Sequence, residues 1–115
     1  MQLPIFDKAA FTFLRRLAIN NNREWFNDNK TIYKSELEAP MQALLEELSS
    51  RLTQLPIPLS GGPKTMFRIN RDVRFSNDKS PYKTNVSAVL TPTGTKQHDG
   101  GLVYLHLDAT GGFAA

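Results

Sequence analysis

The sequence predicts an α+β domain whose N-terminal helices pack on one face of an antiparallel sheet. Apolar residues recur at helical spacing from residue 7 to residue 55, and from residue 65 they alternate at every second position. Between the two regimes lies the breaker-rich run Pro56, Pro58 and Gly61-Gly62-Pro63. Helices first and strands after is the α+β order, in contrast to the βαβ alternation of a parallel sheet. At 115 residues the chain amounts to a single domain, residues 1–115, with a modest core.

The first helix is expected over about 7–18. Asp7 suits its N-cap, with Phe6 before it as a staple. Phe11, Leu14 and Leu17 then share a face, opposite Arg15 and Arg16, until Asn20-Asn21-Asn22 supplies turn material. Asn22 caps a second helical stretch over about 22–55, and Glu24 in its first turn complements the helix dipole. Its stripe runs from Trp25, Phe26, Ile32, Tyr33 and Leu37 through Met41, Leu44, Leu45, Leu48 and Leu52. Pro40 falls inside it, so a kink or short break is expected near Ala39, the second half restarting with Pro40 in its first turn.

Strands are predicted over about 65–75, 84–91 and 101–108. In the first, Phe67, Ile69, Val73 and Phe75 form the apolar face, with Arg68, Asn70, Asp72 and Arg74 on the other. Arg71 breaks this parity: either it is buried and paired, or a bulge near Asn70 turns it out. Val86, Ala88 and Leu90 mark the second strand. A polar connection from Pro92 to Gly101 leads to the third, where Val103, Leu105 and Leu107 alternate with Tyr104, His106 and Asp108. Three strands make a thin sheet with an exposed last edge. The expectation is therefore the N-terminal half of a larger domain, or a homo-oligomer that completes its sheet through that edge.

Charge is concentrated in one place. Residues 64–83 hold Lys64, Arg68, Arg71, Arg74, Lys79 and Lys83 against Asp72 and Asp78, a local +4 in a chain of net charge +3. Cysteine is absent, which removes disulfides and thiol chemistry. The N-terminus has neither the basic start nor the apolar run of a signal peptide, and no segment approaches the ~20 apolar residues of a membrane span. A soluble cytoplasmic protein that does not engage a membrane is the expectation. Gly61-Gly62-Pro63-Lys64-Thr65 is no phosphate loop, because a proline interrupts Gly-Lys and a strand follows. His106 and Asp108 share a strand face, with His98-Asp99 before them, but a metal site wants more ligands than two histidines supply without cysteine. Neither metal nor cofactor is expected. Nucleic acid is also an unlikely partner: overall charge is mild, and Phe67 and Phe75, which could stack on bases beside Tyr82, are assigned to the buried face.

Two stretches carry a family resemblance. Asn21-Asn22-Arg23-Glu24-Trp25-Phe26, followed by Arg68-x-x-Arg71-Asp72-x-Arg74-Phe75-Ser76-x-Asp78-Lys79-Ser80-Pro81-Tyr82-Lys83, resembles the domain of unknown function 2461 family of bacteria and some fungi. The likeness spans essentially the whole chain. It implies soluble proteins longer than this chain, and it supplies no activity, substrate or catalytic residue to carry over. The chemistry must come from the residues themselves.

An arginine fork grips phosphate or carboxylate in a bidentate manner, and several on one face form an anion pocket. Arg68 and Arg74 would stand ~20 Å apart along a regular strand, so one small anion could meet both only across a bend. Two readings stay open. In one, Arg68, Arg71, Asp72, Arg74, Asp78, Lys79, Tyr82 and Lys83 bind an anionic ligand, Asp72 orienting an arginine or taking a proton. In the other, the same residues form an internal ion network in a non-catalytic structural or interaction module. Neighbouring arginines would hold Asp72 and Asp78 ionised, which disfavours either as a general acid. Whether the domain is an enzyme is not decided by these residues.

Overall fold

The computed structural model describes residues 6–96 and 103–114, with only the backbone described at Phe113 and Ala114. Helix α1, Lys8–Ile19, begins where the Asp7 carboxylate accepts the Ala9 N–H at 2.9 Å. It ends at Asn20, whose backbone N–H and side-chain amide both donate to the Arg16 carbonyl. Helix α2, Arg23–Tyr33, is capped by Asn22, which accepts the Trp25 N–H at 2.8 Å. A π-helical turn, Lys34–Glu38, joins it without interruption to α3, Ala39–Leu52. The cause is Pro40, in the first turn of α3. Proline has no N–H to donate and its ring crowds the preceding turn; the wider turn, in which the Ala39 N–H reaches back to the Lys34 carbonyl, accommodates both.

The sheet is antiparallel, in the order β1, Asn85–Leu90; β2, Val103–Asp108; β3, Gly111–Ala114. Val86, Ala88 and Leu90 of β1 join Leu105 and Leu107 of β2 in one core with Phe13, Leu14 and Leu17 of α1, Phe26 and Tyr33 of α2, and Met41, Leu44, Leu45 and Leu48 of α3. The fold is α+β, with the helices over one face of the sheet. No helix among the described residues is long and apolar enough to cross a membrane.

Two expectations about strands are corrected. Residues 65–75 do not form a regular strand: this segment makes isolated bridges only, Met66 with Ala88 and Asn70 with Tyr82. Four residue steps from Met66 to Asn70 face six from Tyr82 to Ala88, so the pairing cannot stay in step between them. The apolar face assigned to 65–75 dissolves accordingly. Met66 and Ile69 are buried three apart, Phe67 is half-buried, and Phe75 is 95% exposed. The third strand of the sheet is instead Gly111–Ala114, which pairs with β2 through His106 opposite Phe113 and Asp108 opposite Gly111. Its two glycines offer no side chains to alternate, so polarity alone gave no sign of it. Of the expected strand over 101–108, residues 101 and 102 lie outside the described residues, as do His98 and Asp99.

Candidate functional site

The basic segment is built as a loop on a two-stranded stem. The Arg71 N–H donates to the Pro81 carbonyl at 2.9 Å, and the Lys83 N–H to the Ile69 carbonyl at 2.7 Å. Residues 72–80 loop out between these bonds. The helices hold the stem at one point: the Asn21 side-chain amide donates to the Tyr82 carbonyl at 2.8 Å and accepts the Tyr82 N–H at 3.0 Å. A planar side-chain amide thus mimics one more paired residue of a strand. The buried Tyr82 ring then stacks on Phe26, with ring centroids 4.2 Å apart and planes at 18°. The two stretches that carry the family resemblance therefore meet through Asn21, Phe26 and Tyr82.

Three of the motif's five basic groups, Arg71, Arg74 and Lys79, are consumed by the loop itself. Arg71, with 28% of its side chain exposed, donates to the Ser80 carbonyl at 3.0 Å and lies 3.3 Å from the Asp78 carboxylate. Arg71 is therefore paired but only half-buried, and the regular strand that both alternatives assumed does not form. Arg74 makes a two-pronged contact with Asp72 at 3.0 and 2.9 Å, and its guanidinium also lies 5.6 Å from the Phe75 ring centroid. Lys79 donates to the Val73 carbonyl at 2.7 Å. Asp78 accepts both the N–H and the hydroxyl of Ser80, which holds its carboxyl below the usual range, Arg71 adding less. Asp72 is lowered by its bonds to Arg74, whose own pKa is raised in return.

Arg68 and Lys83 behave differently. Neither has a hydrogen-bonding or carboxylate partner among the described residues, and a third cation, Lys96, joins them. The Lys83 and Lys96 ammonium groups lie 5.8 and 5.3 Å from the centroid of the Phe67 ring. Burial lowers the Lys83 pKa, and the positive charges of Lys96 and Arg68 lower it further. Lys83 borders one hollow of ≈ 340 Å³ together with Asn21, Arg71 and Asp78. Arg68 borders another of ≈ 370 Å³ together with Lys30, Tyr33 and Glu38. Tyr82 lines both, as the wall between them. The Tyr33 hydroxyl there is pushed up to about 12 by burial, with Glu38 adding to it, and so stays a donor at neutral pH.

The eight residues singled out from the sequence thus separate into two groups. Arg68, Lys83 and Tyr82 border the hollows with a free or buried face. Asp72, Arg74 and Lys79 are engaged within the loop and border neither hollow, and Arg71 with Asp78 belongs to both groups. Sequence reasoning missed Lys96, which no periodicity could place beside Lys83, and Asn21, whose position in a turn-forming triplet hid its pairing role. It also misassigned the aromatics: Phe67 carries cations, and Phe75 stands in solvent, so burial does not remove Phe75 from binding.

On the outer side of β2 the Tyr104 hydroxyl lies 3.1 Å from His106 Nδ1, and His106 Nε2 lies 3.0 Å from Asp108. Asp108 in turn accepts the N–H and hydroxyl of Thr110, bonds that bring its pKa down to about 2, with His106 contributing less. Among the described residues no three histidine or acidic side chains converge as metal ligands.

A family model described as "Conserved hypothetical protein (DUF2461)" matches residues 9–115. No curated protein and no solved structure matches the chain.

Proposed function

Because the chain belongs to the DUF2461 family, whose description names no activity, its role must be read from its site, and we propose that Arg68, Lys83 and Lys96 bind an anionic group, a phosphate or a carboxylate. One observation carries this reading. These three cations crowd one surface with no acidic partner among the described residues, close enough for two of them to depress the pKa of the third. Like charges gathered without compensation destabilise a fold, and an anion between them relieves that cost. Phosphate and carboxylate oxygens suit an arginine fork flanked by ammonium groups. The hollows on either side of Tyr82 give room for the remainder of a small molecule. A cytoplasmic setting, rich in phosphorylated and carboxylated metabolites, fits the same reading.

The second reading from the sequence also finds support, for different residues. Arg71, Arg74 and Lys79 form the internal network that gives the loop its shape. The two roles divide the cluster between them.

Titration with inorganic phosphate and pyrophosphate, followed by calorimetry at low and moderate salt, tests the proposal. Arg68→Ala and Lys96→Ala should each weaken binding about tenfold, the worth of one charge-assisted hydrogen bond. Arg74→Ala should leave it unchanged. Equal losses in all three variants, or no binding by the wild-type chain, would overturn it.

A further inference from the structure

Lys83 differs from the other lysines of the basic segment 64–83 in what surrounds its amine. Lys79 is tied to the Val73 carbonyl at 2.7 Å, and Lys64 stands exposed on the 3-10 turn Pro63–Thr65. Lys83 instead is half-buried, its backbone fixed to Ile69 and its ammonium group 5.8 Å from the centroid of the Phe67 ring. No acceptor among the described residues holds that ammonium group, and Lys96 lies against the same ring. The side chain emerges from a stem that Asn21 anchors to the helices, so its base is held while its tip meets the Phe67 ring and no hydrogen-bond acceptor among the described residues.

We propose that Lys83 is a nucleophilic amine that forms an imine with an aldehyde or ketone bearing a phosphate or carboxylate. The proposal rests on the anion reading above, since Arg68 and Lys96 would hold the acidic group while the carbonyl carbon faces Lys83. In the step itself the neutral amine attacks that carbon. A C–N bond forms, the carbonyl oxygen leaves as water with the two nitrogen-bound hydrogens, and a C=N bond remains. Nothing is oxidised or reduced. Two physical conditions favour the step at this position. A lysine partly withdrawn from water and set beside other cations keeps a larger neutral fraction than an exposed one, and Lys83 has both influences. The same cations draw the anionic reactant to the amine, which raises its local concentration.

Pyridoxal 5′-phosphate, which carries an aldehyde and a phosphate, is the probe. The intact chain is incubated with it, the imine is trapped by borohydride, and the modified lysines are mapped by peptide mass spectrometry. Lys83 should be labelled several-fold faster than Lys64 and Lys79, because its amine is the one partly withdrawn from water and set beside other cations. Inorganic phosphate should suppress the labelling, pyridoxal without its phosphate should label poorly, and Arg68→Ala should slow the reaction at Lys83 about tenfold. Labelling spread evenly over the lysines would overturn the proposal. Phosphate binding by calorimetry with Lys83 unreactive would overturn the imine and leave the anion site standing. Fast labelling of Lys83 that ignores the phosphate group would overturn the anion reading. Lys83→Arg should lose the label at that position; if that variant does not fold, the wild-type peptide map still decides.

Discussion

At the scale of single residues, the site turns on which charges the loop keeps for itself. Arg71 and Arg74 are the same residue type three positions apart, yet their surroundings differ. Arg71 reaches back across the stem, closing the loop on the Ser80 carbonyl and the Asp78 carboxylate with only 28% of its side chain exposed. Arg74 pairs with a carboxylate two residues away, and 76% of its side chain is exposed. A contact between near neighbours at the surface survives in part in the unfolded chain and is screened by water, so it adds little to folding. Arg71→Ala should therefore lower stability by about 1–2 kcal/mol, the loss of a partly buried donor that leaves carbonyls unpaired. Arg74→Ala should leave the urea midpoint where it is. The contrast was legible in the sequence only on one side. Arg71 stood out because it violated the alternation around it, whereas nothing in the pattern separated Arg68, which has no partner among the described residues, from Arg74, which has one.

At the scale of elements, the irregular segment before the loop closes the outer edge of β1. The Ser60 N–H and carbonyl exchange bonds with Thr91 at 2.8 and 2.9 Å, and the Phe67 N–H reaches the Ser87 carbonyl at 2.9 Å. Between these contacts Gly61 lies so close to the sheet that a Cβ there would meet the Val89 carbonyl oxygen at 2.8 Å and the Thr65 hydroxyl at 2.7 Å. Its N–H is taken by Ser49 of α3, whose hydroxyl also donates to the Leu45 carbonyl. One glycine thus lets helix, turn and strand edge meet. Gly61→Ala should cost about 1–3 kcal/mol by overpacking, and Gly62→Ala, where a Cβ would meet nothing within 4 Å, should cost less. Thermal melts of the two variants check this, and equal losses would mean that the segment yields rather than clamps. The helices were readable because a period of 3.6 records one continuous buried face, and β1 because Val86, Ala88 and Leu90 alternate, although Ser87 and Val89 between them are buried as well. The stretch 65–75 misled because its burial comes from two short bridges out of step with each other, at Met66 and Asn70, and no single period describes that. Lys96 shows the same limit at the site: its position beside Lys83 depends on how the turn after β1 folds back, held by the Thr91 hydroxyl donating to the Thr95 carbonyl at 2.7 Å.

At the scale of the whole molecule, three carboxylates tie folding to acidity. Asp72, Asp78 and Asp108 each have a folded pKa below the ordinary value of 3.8, Asp108 reaching about 2. A carboxyl with a lowered folded pKa stabilises the native state above its unfolded pKa, and that contribution disappears as pH falls through the folded one. Stability should accordingly be level from neutral pH down to about 5 and fall between about 4 and 2. Lys83 does not shape this limb, because a lysine with a lowered pKa stays protonated throughout the acid range; its charge disfavours the native state equally at each of those pH values. The three acids are not equivalent in where they act. Asp108 fixes the turn from β2 to β3 through Thr110 and meets His106 only when strand geometry places both on one face. Asp72 is the first residue of an exposed loop and bonds only to Arg74, two residues on, a local contact that can open while the core remains intact. Asp108→Asn should therefore lower the urea midpoint at pH 6 and flatten the decline toward pH 2, where variant and wild type converge, while Asp72→Asn should follow the wild-type curve. Should Asp72→Asn flatten the decline as strongly, the loop would have to unfold with the core as one cooperative unit, and the site would share the full stability of the sheet beneath it.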